Sequence, residues 1–203
     1  MIKVKICGLT NLEDALIAAE AGADALGFVL YPRSPRCVKS NTVQEIVRQL
    51  PPYVTTVGVF ANIGAKEIMD IMRGCGLDLA QLQGDEPPSV CKRLGSRAVK
   101  AIRVKDRDSL AAMKNYSVRA FVLDTYSTEN FGGTGKQFDW NLAVEAKQYG
   151  RVILAGGLNP ENVREAIETV RPYGVDVSSG VEQRIGKKDP EKVRRFIAGA
   201  KKS

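Results

Sequence analysis

Two kinds of segment alternate along almost the whole chain: short apolar runs and amphipathic helical stretches. Five stretches repeat apolar residues at positions i, i+3, i+4 and i+7, the spacing of a helix with one buried face. They begin at Leu12, Val43, Ile68, Val163 and Val193, and shorter helices are predicted at 87–94, 106–114 and 139–149. The runs between the helices are apolar and β-branched, as buried parallel strands are. These eight predicted strands are residues 2–6, 25–30, 54–60, 79–82, 98–102, 120–123, 152–155 and 175–177.

Strict alternation of strands and helices predicts an α/β fold with a parallel sheet, and eight units predict a closed (β/α)₈ TIM barrel. A Gly-x-Asp triplet, which ends a helix and starts a strand, recurs at Gly22, Gly76 and Gly174. The alternative is an open, doubly wound sheet, but its G-x-G-x-x-G motif is absent after the first strand. With 203 residues, of which 44% are apolar, residues 1–203 are predicted to form a single domain.

The composition excludes several classes of function. The chain has no histidine, so any proton transfer must use Cys, Asp, Glu, Lys or Tyr, and metal sites built on histidine are excluded. The net charge of +7 suits a small anionic substrate. Lysines and arginines are dispersed and aromatic residues make up only 6%, which argues against a nucleic-acid partner. We expect neither a metal nor another cofactor.

The sequence also carries indications about location. No apolar run reaches the roughly 18 residues of a membrane span, and the first ten residues lack the apolar core of a signal peptide, so no membrane association is expected. The four cysteines form no C-x-x-C pair, which is typical of free thiols in a reducing compartment. We therefore predict a cytoplasmic protein. The helix exteriors show no additional apolar stripe, so the sequence leaves both a monomer and a homodimer open.

In a (β/α)₈ barrel the active site lies where strands end and the following loops begin. Reactive and glycine-rich residues gather at these positions: Cys7, Tyr31, Arg33, Arg36, Asn62, Gln83-Gly84, Arg103, Asp124, Gly156-Gly157 and Ser178-Ser179-Gly180. A carboxylate such as Asp124 at the end of a buried strand is costly to desolvate unless it has a partner or a task. Residues 119–140 include a long polar, glycine-rich loop without a P-loop motif, and we predict that this loop is mobile and covers the site.

Cys7 and Arg36 each allow a structural and a functional interpretation. A free cysteine is usually a buried core residue, but Cys7 ends a strand before a helix whose N-terminal dipole would stabilise a thiolate. An arginine is usually solvated at the surface. Arg36, however, lies in a loop stiffened by Pro32 and Pro35, and its planar guanidinium suits bidentate binding of a substrate carboxylate.

Two glycine-rich loops predict a phosphate-binding site. Gly156-Gly157 and Ser178-Ser179-Gly180 follow the seventh and eighth predicted strands, where barrels commonly bind phosphate. Glycines let backbone N–H groups approach an anion, and a helix N-terminus adds its dipole. Either loop alone is equally compatible with a tight turn, but the two together favour a cradle with backbone donors at Gly157, Ser179 and Gly180.

Six motifs stand in order along the chain. They are Lys5-Ile6-Cys7-Gly8-Leu9-Thr10, Gly22-Ala23-Asp24-Ala25-Leu26-Gly27-Phe28, Gly58-Val59-Phe60, Leu123-Asp124 with its Gly-Gly-x-Gly-Lys loop, Gly156-Gly157-Leu158-Asn159-Pro160-Glu161-Asn162, and Asp176-Val177-Ser178-Ser179-Gly180-Val181-Glu182. Together they resemble the motifs of the phosphoribosylanthranilate isomerase family. The resemblance implies a (β/α)₈ barrel that catalyses a cofactor-independent Amadori rearrangement in tryptophan biosynthesis. It also implies that Cys7 is the general base, Asp124 the general acid and Arg36 a ligand of the anthranilate carboxylate.

One position departs from the family pattern. Where the family usually has Gln-Leu-His-Gly, this chain has Gln81-Leu82-Gln83-Gly84. Gln83 can hydrogen-bond a substrate but cannot carry a proton near neutral pH.

Two related phosphosugar barrels and one unrelated class are the rival interpretations. The histidine-pathway isomerase should show a second glycine-rich cradle after the third or fourth strand, and indole-glycerol-phosphate synthase should have a longer segment before its first strand. A non-catalytic basic scaffold that binds RNA or acidic partners is the rival of a different class.

The implied chemistry requires opposite shifts of two pKa values. To act as an acid that is still protonated at pH 7, Asp124 needs a pKa above its usual value of about 3.9. Burial or the negative charge of the substrate would raise it. A thiolate base needs the pKa of Cys7 to lie below its usual value of about 8.5, through the helix dipole beside Thr10 or the nearby Lys5. We expect both shifts.

Overall fold

Eight parallel strands close into a barrel in sequence order, and the last strand pairs back onto the first. This is a computed structural model, and it describes residues 1–125 and 138–202. The strands are β1 (Lys3–Cys7), β2 (Ala25–Val29), β3 (Thr55–Phe60), β4 (Leu79–Leu82), β5 (Ala98–Val104), β6 (Phe121–Thr125), β7 (Val152–Leu154) and β8 (Gly174–Val177). The predicted single-domain (β/α)₈ barrel is confirmed. That the domain spans all of residues 1–203 stays a prediction.

Helices alternate with the strands and surround the barrel. They are α1 (Leu12–Glu20), α2 (Ser40–Val47), α3 (Ala65–Cys75), α4 (Pro88–Leu94), α5 (Asp108–Ala111), α6 (Trp140–Ala146), α7 (Val163–Val170) and α8 (Pro190–Lys201). In the part of the chain that the structure describes, no helix is long and apolar enough to cross a membrane.

The apolar faces of the helices pack against the outside of the barrel. The stripe predicted on α8 is completely buried, with Val193, Phe196, Ile197 and Ala200 all at most 2% exposed. Phe28 in β2 belongs to the same core and is fully buried. Burial of one such large side chain contributes roughly 1.5–3 kcal/mol. This packing holds the strand ends in fixed positions, and the pocket described below depends on that rigidity.

Three strands extend beyond their predicted carboxyl ends. β1 runs to Cys7, one residue further, whereas β5 runs to Val104 and β6 to Thr125, so Arg103 and Asp124 lie within strands and not after them. Asp124 is only 8% exposed. Arg103 forms an ion pair with the exposed Asp85 at the rim. The apolar runs underestimate β5 and β6 because polar residues at their carboxyl ends interrupt the apolar pattern.

A short antiparallel hairpin follows β8 and was not predicted. It consists of β9 (Glu182–Arg184) and β10 (Lys187–Lys188), and a 3₁₀ turn at Ser179–Val181 leads into it. Its sequence is almost entirely polar and charged, so no apolar alternation indicates a strand there. The hairpin brings Glu182 and Lys188 beside the pocket, where both are buried.

The three Gly-x-Asp triplets are not structurally equivalent. Asp24 and Asp78 immediately precede β2 and β4, and each accepts a hydrogen bond from a backbone N–H of an adjacent strand, Val4 and Thr56 respectively. Gly174, in contrast, is the first residue of β8, so Asp176 lies inside that strand. The third aspartate is therefore directed into the barrel and lines the pocket.

Candidate active site

A pocket opens at the carboxyl-terminal ends of the barrel strands. Its polar lining comes from β1, β4, β6, β8 and the loops after β2, β7 and β8: Cys7, Tyr31, Ser34, Arg36, Gln81, Gln83, Asp124, Asp176, Ser178 and Ser179, with the backbone of Gly156 and Gly157. The structure thus brings together all of the predicted site residues except Gly180, which does not line the pocket. Arg33 and Asn62, which the strand-end positions also suggested, are not part of the lining either.

Asp124 is held at the pocket floor by two hydrogen bonds. Its Oδ1 accepts from the backbone N–H of Thr125 at 2.8 Å, and its Oδ2 accepts from Nε2 of Gln83 at 3.0 Å. Burial raises the pKa of Asp124 to about 6, and the negative charge of Asp176 adds to this shift, whereas the two hydrogen bonds and Lys5 oppose it. The predicted upward shift is confirmed. A carboxyl group with this pKa is partly protonated near neutral pH and can donate a proton.

Gln83 is itself positioned by a second glutamine. Gln81 in β4 donates from Nε2 to Oε1 of Gln83 at 2.8 Å, so a chain of amides ends on the Asp124 carboxylate. Both glutamines are at most 5% exposed. Gln83 was predicted as a substrate ligand, and the structure shows it orienting Asp124. Gln81 was missed, although its position two residues before Gln83 places both side chains on one face of the strand.

Cys7 ends β1 at the edge of the pocket and is buried. Gly27 of β2 stands opposite it in the register of the two strands. A Cβ atom at Gly27 would lie 2.7 Å from Sγ of Cys7 and 2.9 Å from Cε of Lys5, so only glycine leaves room for both side chains. The thiol and the Lys5 side chain are therefore packed side by side.

The predicted lowering of the Cys7 pKa is wrong for this structure. Burial raises the pKa of the thiol, and the charge of Asp176 adds to this, while Lys5 and Lys188 lower it by less. The sequence showed the cation two residues away, but it did not show how completely the thiol is withdrawn from water. Lys5 is the cation that most favours the thiolate of Cys7.

Lys5 forms a buried ion pair with Asp176. The two residues are register partners in the β1–β8 ladder, and Lys5 Nζ lies 2.6 Å from Asp176 Oδ2. Burial lowers the pKa of Lys5, but Asp176 and Cys7 raise it more, so its net pKa is above the ordinary value and the ammonium stays charged. Asp176 was not predicted as a site residue, although it lies two positions before the predicted Ser178 in the same motif.

Arg36 makes a bidentate ion pair with Glu182 at the other side of the pocket. Its Nε donates to Oε1 at 2.8 Å and its Nη2 to Oε2 at 2.7 Å. Lys188 Nζ reaches the same Oε1 at 3.1 Å and also donates to the carbonyl oxygen of Ser178 at 3.0 Å. We call Arg36, Glu182 and Lys188 the arginine anchor. Glu182 was missed as a site residue because no local pattern pairs it with an arginine 146 positions away.

The arginine anchor holds two cations, Arg36 and Lys188, on the one carboxylate of Glu182. The pKa of Arg36 is raised, mainly by its hydrogen bond to Glu182. Burial acts to raise the pKa of Glu182, but Arg36 and Lys188 oppose it, and the net pKa of Glu182 is below its ordinary value. The guanidinium still lines the pocket with two of its five N–H donors engaged by Glu182, so donors remain for a ligand carboxylate.

The two predicted phosphate loops contact each other. Gly156 and Gly157 have positive φ angles of 81° and 69°, and a Cβ at Gly156 would lie 2.4 Å from Oγ1 of Thr125. A Cβ at Gly180 would lie 1.9 Å from the carbonyl oxygen of Leu158. Gly180 therefore allows the loop after β8 to touch the loop after β7, which is a packing role. Gly157 and Ser179 are the members that line the pocket.

The mobile loop predicted between the Asp124 strand and α6 falls on residues 126–137, which lie outside the described residues. No group of three or more metal-binding side chains is found within residues 1–125 and 138–202.

The chain matches one family model and many characterised relatives. The model described as N-(5'phosphoribosyl)anthranilate (PRA) isomerase matches residues 4–199. The N-(5'-phosphoribosyl)anthranilate isomerase of Citrifermentans bemidjiense is 55% identical over 202 residues, which cover 100% of this chain and 98% of the relative. The isomerase of Geobacter sulfurreducens is 54% identical over 201 residues, 99% of each chain.

Solved structures give the same result. The crystal structure of phosphoribosyl anthranilate isomerase from Thermotoga maritima superposes with a TM-score of 0.93 at 44% identity, over 100% of both chains. A phosphoribosyl anthranilate isomerase in complex with reduced 1-(o-carboxyphenylamino)-1-deoxyribulose 5-phosphate superposes with a TM-score of 0.90 at 43% identity, again over 100% of both chains.

Proposed function

Since the chain belongs to the N-(5'-phosphoribosyl)anthranilate isomerase family, we propose that Cys7 is the general base and Asp124 the general acid of its reaction. The chain is an isomerase of tryptophan biosynthesis. It converts N-(5-phosphoribosyl)anthranilate to 1-(2-carboxyphenylamino)-1-deoxyribulose 5-phosphate by an Amadori rearrangement. The furanose ring oxygen takes up a proton and the ring opens to an iminium ion. C2 then loses a proton, C1 gains one, and the C2 hydroxyl gives up its own proton as it becomes the carbonyl group. One acid and one base suffice for these steps.

The observation that carries this assignment is that a thiol and a partly protonated carboxyl line the same pocket. With a pKa raised to about 6, Asp124 keeps part of its protonated form near neutral pH, and it can protonate the ring oxygen. Cys7 must first lose its own proton, and the adjacent Lys5 ammonium stabilises the thiolate that then accepts the C2 proton. Gln83 keeps the carboxyl group of Asp124 oriented towards the substrate.

Two anionic groups of the substrate have matching positions in the pocket. Arg36 of the arginine anchor binds the anthranilate carboxylate with the N–H donors that Glu182 leaves free. The backbone of Gly157 and Ser179, supported by Gly156, Ser178 and Gly180, binds the phosphate. A similar protein was crystallised with a reduced phosphosugar that carries both groups, which supports a ligand of this kind.

We propose further that the partner of this chain is a small anionic phosphosugar and neither a nucleic acid nor a membrane. The four cysteines are free thiols, which supports a cytoplasmic location.

Both a monomer and a homodimer are compatible with the relatives, because one solved structure shows monomers generated from the dimeric isomerase of Thermotoga maritima. Light scattering distinguishes the two states. Retention on immobilised nucleic acid with a steep dependence on salt would contradict the absence of a nucleic-acid partner.

The experiment generates N-(5-phosphoribosyl)anthranilate in situ and follows its fluorescence after the protein is added, with a chelator present and no cofactor added. We expect rapid loss of the substrate fluorescence for the wild-type chain and at least a 10²-fold slower loss for Asp124→Asn. A wild-type chain that consumes no substrate, or one that needs an added metal, would contradict the proposed function.

A further inference from the structure

Asp176 lines the pocket, and one of its carboxylate oxygens is a buried atom that no described group satisfies. Its side chain is 6% exposed, and its Oδ2 is engaged by Lys5 at 2.6 Å. Its Oδ1 has no hydrogen-bond partner among residues 1–125 and 138–202. A buried carboxylate oxygen without a partner costs free energy comparable to a lost hydrogen bond, so such an atom in a pocket is a candidate ligand contact.

The position of Asp176 relates this oxygen to the reacting carbons. Asp176 lines the same pocket as Cys7 and Asp124, and its pairing with Lys5 places it next to the Cys7 thiol. Just after β8, Ser178 and Ser179 belong to the proposed phosphate cradle. Asp176 is thus near the proposed base in space and near the proposed phosphate cradle along the chain, and we infer that the sugar carbons with hydroxyl groups pass it.

We propose that Oδ1 of Asp176 accepts a hydrogen bond from a sugar hydroxyl of the substrate, on C2 or C3. This inference rests on the proposed function and adds a third substrate contact to the acid and the base. A hydroxyl group donates one hydrogen bond, which is what an anionic carboxylate oxygen lacks. Because the acceptor is charged, the hydrogen bond is stronger than one between neutral groups.

Lys5 is a positioning residue in this arrangement. Its ammonium group binds Oδ2 and holds the carboxylate in one orientation, so that Oδ1 is the free oxygen. Gly27 leaves the space in which the Lys5 side chain lies. With C2 or C3 held by its hydroxyl, the C2 hydrogen is directed towards Cys7, and the orientation of the open-chain sugar no longer depends on the phosphate and carboxylate contacts alone.

The test measures the dissociation constant of the reduced product, reduced 1-(o-carboxyphenylamino)-1-deoxyribulose 5-phosphate, and of its 2-deoxy and 3-deoxy counterparts. For the wild-type chain we expect one of the two deoxy compounds to bind about ten- to hundredfold more weakly than the parent compound. Asp176→Asn should weaken the parent compound to a similar extent and should weaken that deoxy compound little further. The amide oxygen of Asn stays on the Lys5 ammonium, which can only donate, and the amide NH₂ that replaces Oδ1 cannot accept the same hydrogen bond.

Asp24→Asn is the matched control, because Asp24 also pairs with lysines but lies at the opposite end of the barrel. It should bind all three compounds as the wild-type chain does. If Asp176→Asn does not fold, as judged by thermal unfolding, Asp176→Ser takes its place in the same comparison.

Two outcomes would overturn the inference. The first is equal binding of the parent and both deoxy compounds to the wild-type chain. The second is an Asp176 variant that weakens the parent and the deoxy compounds by the same factor, which would mean that the residue acts only through the structure of the site. Either outcome leaves the proposed function intact as long as the wild-type chain isomerises its substrate. A wild-type chain without isomerase activity contradicts the proposed function itself.

Discussion

Two groups of ionisable residues lie at one pocket, the proposed reaction centre of Cys7, Asp124 and Asp176 and the arginine anchor, of which Arg36 lines the pocket. In the arginine anchor, every charge has an opposite charge within 3.1 Å. In the proposed reaction centre, Asp176 forms an ion pair with Lys5, and Asp124 forms no ion pair among the described residues. The anchor is thus tied by ion pairs, whereas Asp124 is held by neutral hydrogen-bond donors, as suits its proposed proton transfer.

The two groups differ in what shifts their pKa values. In the anchor, Arg36 and Lys188 outweigh burial and lower the pKa of Glu182, whereas burial lowers the pKa of Lys188. Burial with few counter-charges disfavours the ionised forms in the reaction centre, which raises the pKa values of Asp124 and Cys7. The buried Asp124 carboxyl therefore costs folding free energy at neutral pH, as functional groups often do.

The largest expected effect is that of Asp124→Asn. This change removes the acid but keeps the shape, so kcat should fall by at least about 10²-fold with KM little changed. The folded-state pKa of Asp124, about 6, lies above the value of an unfolded chain, so the group destabilises the fold increasingly as the pH rises through that range. The melting temperature of the variant at pH 8 should therefore be no lower than that of the wild-type chain.

Steady-state kinetics and thermal unfolding of the same preparations check both expectations. Asp24→Asn, at the far end of the barrel, is the control for loss of an aspartate charge. A kcat within threefold of wild type, or a clear loss of stability at pH 8, would contradict the comparison.

Arg36→Ala should lower kcat/KM by a factor that corresponds to roughly 2–3 kcal/mol of lost transition-state binding, because a charge-assisted contact to the substrate carboxylate is lost. In contrast to Asp124→Asn it should also lower the melting temperature, because Glu182 loses its bidentate partner while it stays buried. Arg36→Lys should recover only part of the activity, since an ammonium group lacks the planar fork. Arg107→Ala, which breaks an exposed arginine–glutamate pair, is the matched control. An unchanged kcat/KM for Arg36→Ala would remove this residue from the binding site.

Gly180→Ala should raise KM by roughly tenfold with little change in kcat, as for loss of one charge-assisted contact to the phosphate. The added Cβ would collide with the carbonyl oxygen of Leu158, so the loops after β7 and β8 must move apart. Inorganic phosphate should inhibit the variant less than the wild-type chain. Gly74→Ala is the control, because no atom lies within 4 Å of its Cβ position. A normal KM and normal inhibition by phosphate would show that Gly180 does not support the phosphate cradle.

The smallest effect is expected for Gln83→Met. The hydrogen bond from Gln83 lowers the pKa of Asp124, so its loss should raise that pKa further above about 6. The acid must be protonated to act, and kcat/KM should therefore begin to fall at a higher pH in the variant than in the wild-type chain. The pH profile of kcat/KM measures this, with the exposed Gln49→Met as control. If the fall of kcat/KM at high pH instead began at a lower pH in the variant, Gln83 would not act through Asp124.

The sequence predicted the fold and most of the pocket lining, because alternation and strand ends are local patterns. Cys7, Asp124 and the two phosphate loops could be found from their places at strand ends alone. Glu182 and Lys188 could not, since a polar hairpin has no apolar alternation and its pairing with Arg36 joins distant parts of the chain. The sign of the Cys7 pKa shift was wrong for a related reason, because desolvation is a property of the packed pocket and not of neighbouring residues in the chain.

The measurement that tests the account most directly is a single turnover with Cys7→Ala at saturating enzyme. The account predicts that the variant binds the reduced product analogue about as tightly as the wild-type chain but converts the substrate at least about 10²-fold more slowly. Cys7→Ser should be nearly as slow, because a hydroxyl group is far too weakly acidic to serve as an anionic base at neutral pH. Conversion by Cys7→Ala at the wild-type rate would show that another residue removes the C2 proton and would contradict the mechanism.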